Sequence, residues 1–299
     1  MGKTAYSKSL AGGFALAALT VCGGAFAADN TAAETVVVTA SKVDAATLNN
    51  LSSQYVDAST ALSPIKQVAR WRAPVCPSVQ GLPPAFNKFV ADRIQAVALK
   101  VGAPYEASCK PNIEVMFTPE TQKMANQVAE KTPWLFGTKL STSAAKLATV
   151  SHPIQAWYVT ATVDPSGQQR TDDPSDPVGV MGNNRKIDGS RLGAKKASVL
   201  ENVVIIADAG KLAGHDVGTV ADYIALLALS QVQANDGCAA LPSVADAMAS
   251  ACSKQPAPDS ITNVDVAFLK GLYATQPDAL GTIARADIAR RVSQDLSGQ

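Results

Sequence analysis

Four cysteines, Cys76, Cys109, Cys238 and Cys252, stand downstream of a segment built like a secretory leader, and this pairing of features constrains the fold most. Lys3 and Lys8 come first, an apolar run over 10–22 follows, and Ala25-Phe26-Ala27 supplies the small residues of a cleavage site. Cleavage after Ala27 is expected, with Ala28 as the first mature residue. The apolar run is about 13 residues long, short of the ~20 that cross a bilayer, so the mature chain is expected to have no transmembrane span. Cys22 before Gly23 and Gly24 leaves lipid attachment as the alternative, although Val21 occupies a position where that chemistry takes a very small residue. Outside the cytoplasm an even set of cysteines favours disulfides, and four cysteines admit three pairings. Local pairing, Cys76 with Cys109 and Cys238 with Cys252, is favoured because each pair brackets one short unit. Loops of these lengths stabilise a fold by roughly 3–4 kcal/mol each in the chain-entropy model. The close C-x-x-C spacing of a zinc site is absent.

Charge excludes one class of partner. The whole chain carries +1, and removing the leader takes away Lys3 and Lys8 and no acid, which leaves −1. No basic excess remains to hold nucleic acid. With 47% hydrophobic and 17% charged residues the composition is globular, and its length allows one large domain or two small ones.

The segment 28–63 is rich in Ala, Thr, Asn and Ser and poor in aromatics, so it reads as a flexible tail with one strand-like island at 35–39. The folded body is expected over 64–299. Pro83-Pro84 precedes Phe86, Phe89, Val90, Ile94, Val97 and Ala98 at helical spacing, and Gly102 marks the end of that helix. Ile113, Val115 and Phe117 alternate as a strand. Thr118-Pro119-Glu120 reads as a capped helix start, with the helix running to Lys131. Strands are expected at 154–163 and 199–207, the second deeply buried through Val203-Val204-Ile205-Ile206. Helices are expected at 219–232, 243–251, 263–273 and 278–296. Two of these open with the capping pairs Ser243 with Asp246 and Thr262 with Asp265. Strands in the first two thirds and helices closing the chain give an α+β fold: a single domain with a small mixed sheet, packed helices and a helical C-terminal third.

Glu34-Thr35-Val36-Val37-Val38-Thr39-Ala40 resembles the TonB box near the mature N-terminus of TonB-dependent outer-membrane receptors. That resemblance implies a TonB-type periplasmic partner, engaged by adding Thr35, Val36, Val37, Val38 and Thr39 as a strand to its sheet. The rest of the chain is too short for a plug and a large barrel, and 295–299 lacks the terminal aromatic of an outer-membrane strand. The body resembles zincin-like metalloprotease domains of the metzincin kind in its order of helix, strands, buried helix at 219–232 and later helix at 265–273. In that family the buried helix carries H-E-x-x-H, whereas here it reads Val220-Ala221-Asp222-Tyr223-Ile224-Ala225-Leu226-Leu227. The resemblance therefore implies a shared fold without the catalytic residues.

His152 and His215 are the only histidines, so a three-histidine metal site is excluded. His215-Asp216 follows the third strand across 210–218, and together with Asp208 it forms the best binding-pocket candidate. The alternative is a turn histidine with Asp216 capping the next helix. Gly210-Lys211-Leu212-Ala213-Gly214 lacks the spacing of a phosphate loop and reads as a turn. His152 before Pro153 also reads as a turn. The polar stretch 164–196 places Asp172, Asp173 and Asp176 before Arg185, Lys186, Arg191, Lys195 and Lys196, a solvated self-compensating loop or, alternatively, a lid or partner-binding surface. Trp71, Trp134 and Trp157 read as core residues. These features point to an exported periplasmic or extracellular binding or interaction protein, non-catalytic, with no metal or cofactor. A hydrolase using carboxylates and His215, and a structural envelope component, are the alternatives.

Overall fold

The structure is a computed structural model and describes residues 43–106, 108–164, 168–173, 196–232, 237–252 and 256–298. The leader, its cleavage site and the TonB-box-like residues Thr35, Val36, Val37, Val38 and Thr39 lie outside the described residues, as do 174–195 of the charge-split loop. The fold is α+β, as the sequence implies.

The chain order is α1 (Ala45–Ser59), β1 (Arg70–Trp71), β2 (Pro77–Gln80), α2 (Pro84–Val101), β3 (Ile113–Thr118), α3 (Thr121–Lys131) and α4 (Ser141–Leu147). It continues with β4 (Ile154–Val163), β5 (Gln169–Thr171), β6 (Ala197–Asp208), α5 (Val217–Leu229), α6 (Asn263–Ala274) and α7 (Gly281–Ser297). The described strands form one mixed sheet in the order β2-β3-β6-β4-β5, with β1 pairing the first part of β6. β2 and β3 are parallel with α2 between them, so the first half of the body is a β-α-β crossover. β3 and β1 run parallel to β6, whereas β4 runs antiparallel to both β6 and β5. β6 is central because its Val203–Ile206 run can be buried on both faces, which an edge strand does not require.

The two-residue period of the strands sorts the core into two layers. Ile113, Val115 and Phe117 of β3 join Val203, Ile205 and Ala207 of β6 against α1, α2, α5, α6 and α7. Met116, Val204 and Ile206 point the other way, onto Ala125, Val128 and Ala129 of α3, with Phe136 and Ala144 completing the smaller layer. Helix α5 is buried on every side from Thr219 to Leu229, which explains why its apolar residues show no single stripe. Trp71 is buried and donates through Nε1 to the Ala228 carbonyl at 2.8 Å, but Trp134 is 60% exposed, contrary to its reading as core.

The largest departure from the sequence reading lies at 45–59. The flexible tail expected over 28–63 does not include 44–59: the Asp44 carboxylate accepts from the Ala46 and Thr47 amides at 3.0 and 2.9 Å and caps α1. Tyr55 and Val56 are buried, and Leu48 and Leu51 pack beside them. The polar composition misled because a helix needs only one apolar stripe to be held by a neighbour, and α1 lies along α7. The 118–120 helix start is also shifted. Thr118 stays in β3 and its hydroxyl accepts the Glu120 amide at 3.1 Å, so α3 begins at Thr121. The helix expected at 243–251 is a short 3₁₀ turn, Val244–Ala247.

Gly81 makes the turn out of β2 with φ of 99°, and a Cβ there would collide with the Phe117 carbonyl. Gly81→Ala is therefore expected to cost about 2–3 kcal/mol, read as a lower urea midpoint with unchanged slope. Gly102, with φ of 79° and nothing near the missing Cβ, is the control, and alanine there should cost about 1 kcal/mol.

Candidate functional site

The pocket expected at Asp208, His215 and Asp216 is not assembled. Asp208 ends β6 and its Oδ1 accepts from the Gly210 and Lys211 amides at 3.0 Å each, a local turn that uses the carboxylate as a backbone brace. His215 is exposed, and its amide donates to the Leu212 carbonyl at 3.0 Å. Asp216 caps α5 by accepting from Gly218 and Thr219 at 2.7 and 3.3 Å. The turn-and-cap alternative describes all three.

What the fold does bring together is Tyr55, Ser243 and Asp265, from α1, the 3₁₀ turn and α6. Asp265 is 0% exposed, yet its carboxylate is well solvated by protein. Oδ1 accepts from the Tyr55 phenol at 2.8 Å and the Ser243 hydroxyl at 2.6 Å, and Oδ2 accepts from the Val244 and Thr262 amides at 2.9 Å each. The Thr262 hydroxyl also lies 2.9 Å from Oδ2, sharing its proton between that oxygen and the Pro242 carbonyl, so the roughly four lone-pair directions of a carboxylate are filled. Burial, and secondarily the Asp265 charge, push the Tyr55 phenol well up, which keeps Tyr55 a neutral donor. Ser243 and Thr262 each also begin a capping box, with Asp246 and Asp265 as the acidic members. The Cys238–Cys252 disulfide, Cα–Cα 4.8 Å, holds the segment that carries Ser243, while Cys76–Cys109, Cα–Cα 5.9 Å, ties β2 to the chain entering β3. Both expected pairings are present.

Next to the knot lies a cavity of about 40 Å³ between α1, α5 and the segment 237–246. Tyr55, Ser59, Tyr223, Ser243 and Asp246 give it a polar side, and Leu226, Val232, Ala239 and Ala240 an apolar one. Asp246 accepts from the Ala239 and Ser243 amides at 2.8 and 3.0 Å. Tyr223 is 5% exposed, and burial pushes its phenol up to about 12. A second buried acid on α5, Asp222, is paired with Arg93 of α2, the Nη2–Oδ2 contact being 2.8 Å, and accepts from the Ile261 amide. Asp222 thereby fastens α5 to α2 and to the approach to α6. Among the described residues no group of three His, Cys, Asp or Glu is placed to hold a metal ion.

Sequence reading found the capping boxes at 243–246 and 262–265 but not the meeting of Tyr55, Ser243 and Asp265. The available signal was Leu48, Leu51, Tyr55 and Val56 at helical spacing behind Asp44. No family model, curated protein or solved structure matches the chain.

Proposed function

We propose that this is an exported envelope protein of the periplasm, non-catalytic, that works by engaging a partner protein. The observation that supports this reading best is how its acids are used. Asp265, Asp222, Asp208 and Asp216 hold backbone amides, and Asp172 is clasped by the Thr160 and Thr162 hydroxyls at 2.7 and 2.9 Å. Groups bound in this way serve the scaffold, and acid–base work would require breaking those bonds. No helix among the described residues is long and apolar enough to cross a membrane.

The partner contact is assigned to Thr35, Val36, Val37, Val38 and Thr39, on the strength of the TonB-box resemblance. Strand addition depends on backbone N–H groups, so Val37→Pro should remove a donor and bend the segment, while Val37→Thr should keep the ladder. A peptide spanning 30–44, titrated into the periplasmic domain of TonB by calorimetry or NMR, is expected to bind. Proline should weaken it at least about tenfold and threonine less than about threefold. The absence of any shift from the unmodified peptide at millimolar concentration would refute the contact.

A further inference from the structure

The smaller core layer carries apolar side chains on its outer side that the fold leaves uncovered. Phe136, Ala144 and Ala148 turn inward to Val204 and Ile206 of the sheet, but Trp134, Leu140 and Leu147 remain 60%, 55% and 41% exposed. Trp134 stands in a 3₁₀ turn, Pro133–Phe136, that packs against both α3 and α4. Leu140 and Leu147 are seven residues apart, so they stand two turns apart on one side of α4. The residue before each is an exposed lysine, Lys139 and Lys146, and a third exposed lysine, Lys131, ends α3 just before the 3₁₀ turn.

Charge narrows what this face fits. No acid occurs over 131–163, and of the two on or next to α3, Glu120 is paired with Lys123 at 3.0 Å, which leaves Glu130. Lys131, Lys139 and Lys146 form no ion pair among the described residues. The whole chain carries only +1, so this cationic excess is local. Phe86 and Phe89 on α2 are also exposed, but the Lys88–Asp92 pair on the same helix neutralises itself. A protein-binding patch gathers its apolar groups into a block ringed by polar residues and is poor in lysine. Here lysines alternate with apolar groups, an arrangement that a bilayer surface accepts. The indole settles at headgroup depth and the leucines reach the upper acyl chains, while lysine stems lie beside them and the ammonium groups meet phosphates.

We propose that the face formed by Lys131, Trp134, Lys139, Leu140, Lys146 and Leu147 docks the protein on an anionic phospholipid surface. The attachment is peripheral and reversible, because three apolar side chains bury too little area to hold the chain permanently. Each lysine close to a negatively charged membrane strengthens it about fivefold. This docking is independent of the tail residues assigned above to a partner protein.

Co-sedimentation of the mature protein with vesicles tests this, using phosphatidylcholine alone and phosphatidylcholine with about one-third phosphatidylglycerol. Binding to the mixed vesicles is expected, at least about tenfold weaker binding to the neutral ones, and release by salt. The double variant Lys139→Gln/Lys146→Gln should weaken binding about 25-fold, and Trp134→Ala about tenfold, with melting temperatures unchanged because all three positions are exposed. Leu280→Ala, at a position 59% exposed at the start of α7, is the control and should leave binding as it is. Lipids brominated in their acyl chains should quench wild-type emission and fail to do so in Trp134→Phe, since Trp71 is buried and Trp157 packs on the core. Equal binding to both kinds of vesicle, undiminished binding of the lysine variant, or unquenched Trp134 would overturn the proposal. Self-association lost in Trp134→Ala, without vesicle binding, would assign the face to a second copy and overturn it equally.

Discussion

A chain beginning at Val43 is expected to fold and melt like the mature protein, whereas one beginning at Pro64 is expected to lose its cooperative transition. The difference is α1. Tyr55 and Val56 are 1% and 0% exposed, and the Tyr55 ring meets Phe268 edge-on at 5.7 Å between centroids. Removing the helix uncovers α7 and the rim of the cavity. It deletes the Tyr55 donor to Asp265 and breaks the contacts of Arg285 with Asp57 and the Thr60 carbonyl. At about 1.5–3 kcal/mol for each large buried side chain, the loss of Tyr55, Val56 and the half-buried Leu48 and Leu51 comes to roughly 5–8 kcal/mol. That is comparable to the whole stability of a typical domain, about 5–15 kcal/mol. Circular dichroism melts of the two chains decide it, and a Pro64 chain that melts within about 2 °C of the full protein would show that α1 is a tail after all. A partner-binding experiment that removes the tail should therefore stop before Val43, since deleting through Ser63 would confuse loss of a motif with loss of the fold.

Much of the scaffold was legible because its signals are local. The strand at 154–163 and the buried run in β6 announce themselves by alternation and by a stretch of β-branched residues. The capping boxes at Thr262 and Ser243 announce themselves by a three-residue spacing. α2 ends at Gly102 because only glycine takes that backbone turn without cost. What escaped was decided by contacts far apart in sequence. α1 has too few apolar residues to predict its own burial until α7 is present to receive them. β1 is two residues long and exists only because β6 extends past the end of β3. The binding-pocket reading of Asp208, His215 and Asp216 joined residues that are neighbours along the chain. Each of these acids satisfied its nearest amides instead, and the convergence of acid and hydroxyls formed where residues 55, 243 and 265 meet. Asp265 was read as a helix cap, which it is, but only its bonds to Thr262 could be seen locally.

Replacing Asp265 is expected to be the most damaging single substitution described, and the order of two variants tests why. Asp265→Ala would leave the Tyr55 and Ser243 hydroxyls and the Val244 and Thr262 amides facing a buried void. At about 1–3 kcal/mol for each unsatisfied donor, partly offset by entry of water, the cost should be on the order of 5 kcal/mol. Asp265→Asn keeps the shape and one acceptor oxygen. The amides of Val244 and Thr262 cannot turn, so the asparagine oxygen must face them and its NH₂ must face Tyr55 and Ser243. Those hydroxyls can rotate to accept. The geometry survives while the charge-assisted strength is lost, so the cost should be about half that of alanine. Tyr55→Phe, which removes one donor and leaves the carboxylate the Ser243 hydroxyl and the Val244 and Thr262 donors, should cost about 1–2 kcal/mol. Urea unfolding with unchanged slope gives all three values on one scale. Asparagine as damaging as alanine would mean that the negative charge, rather than the filled acceptor geometry, holds α1, α6 and the disulfide-bound segment together. A cost below about 1 kcal/mol for alanine would mean that the knot contributes little to holding them.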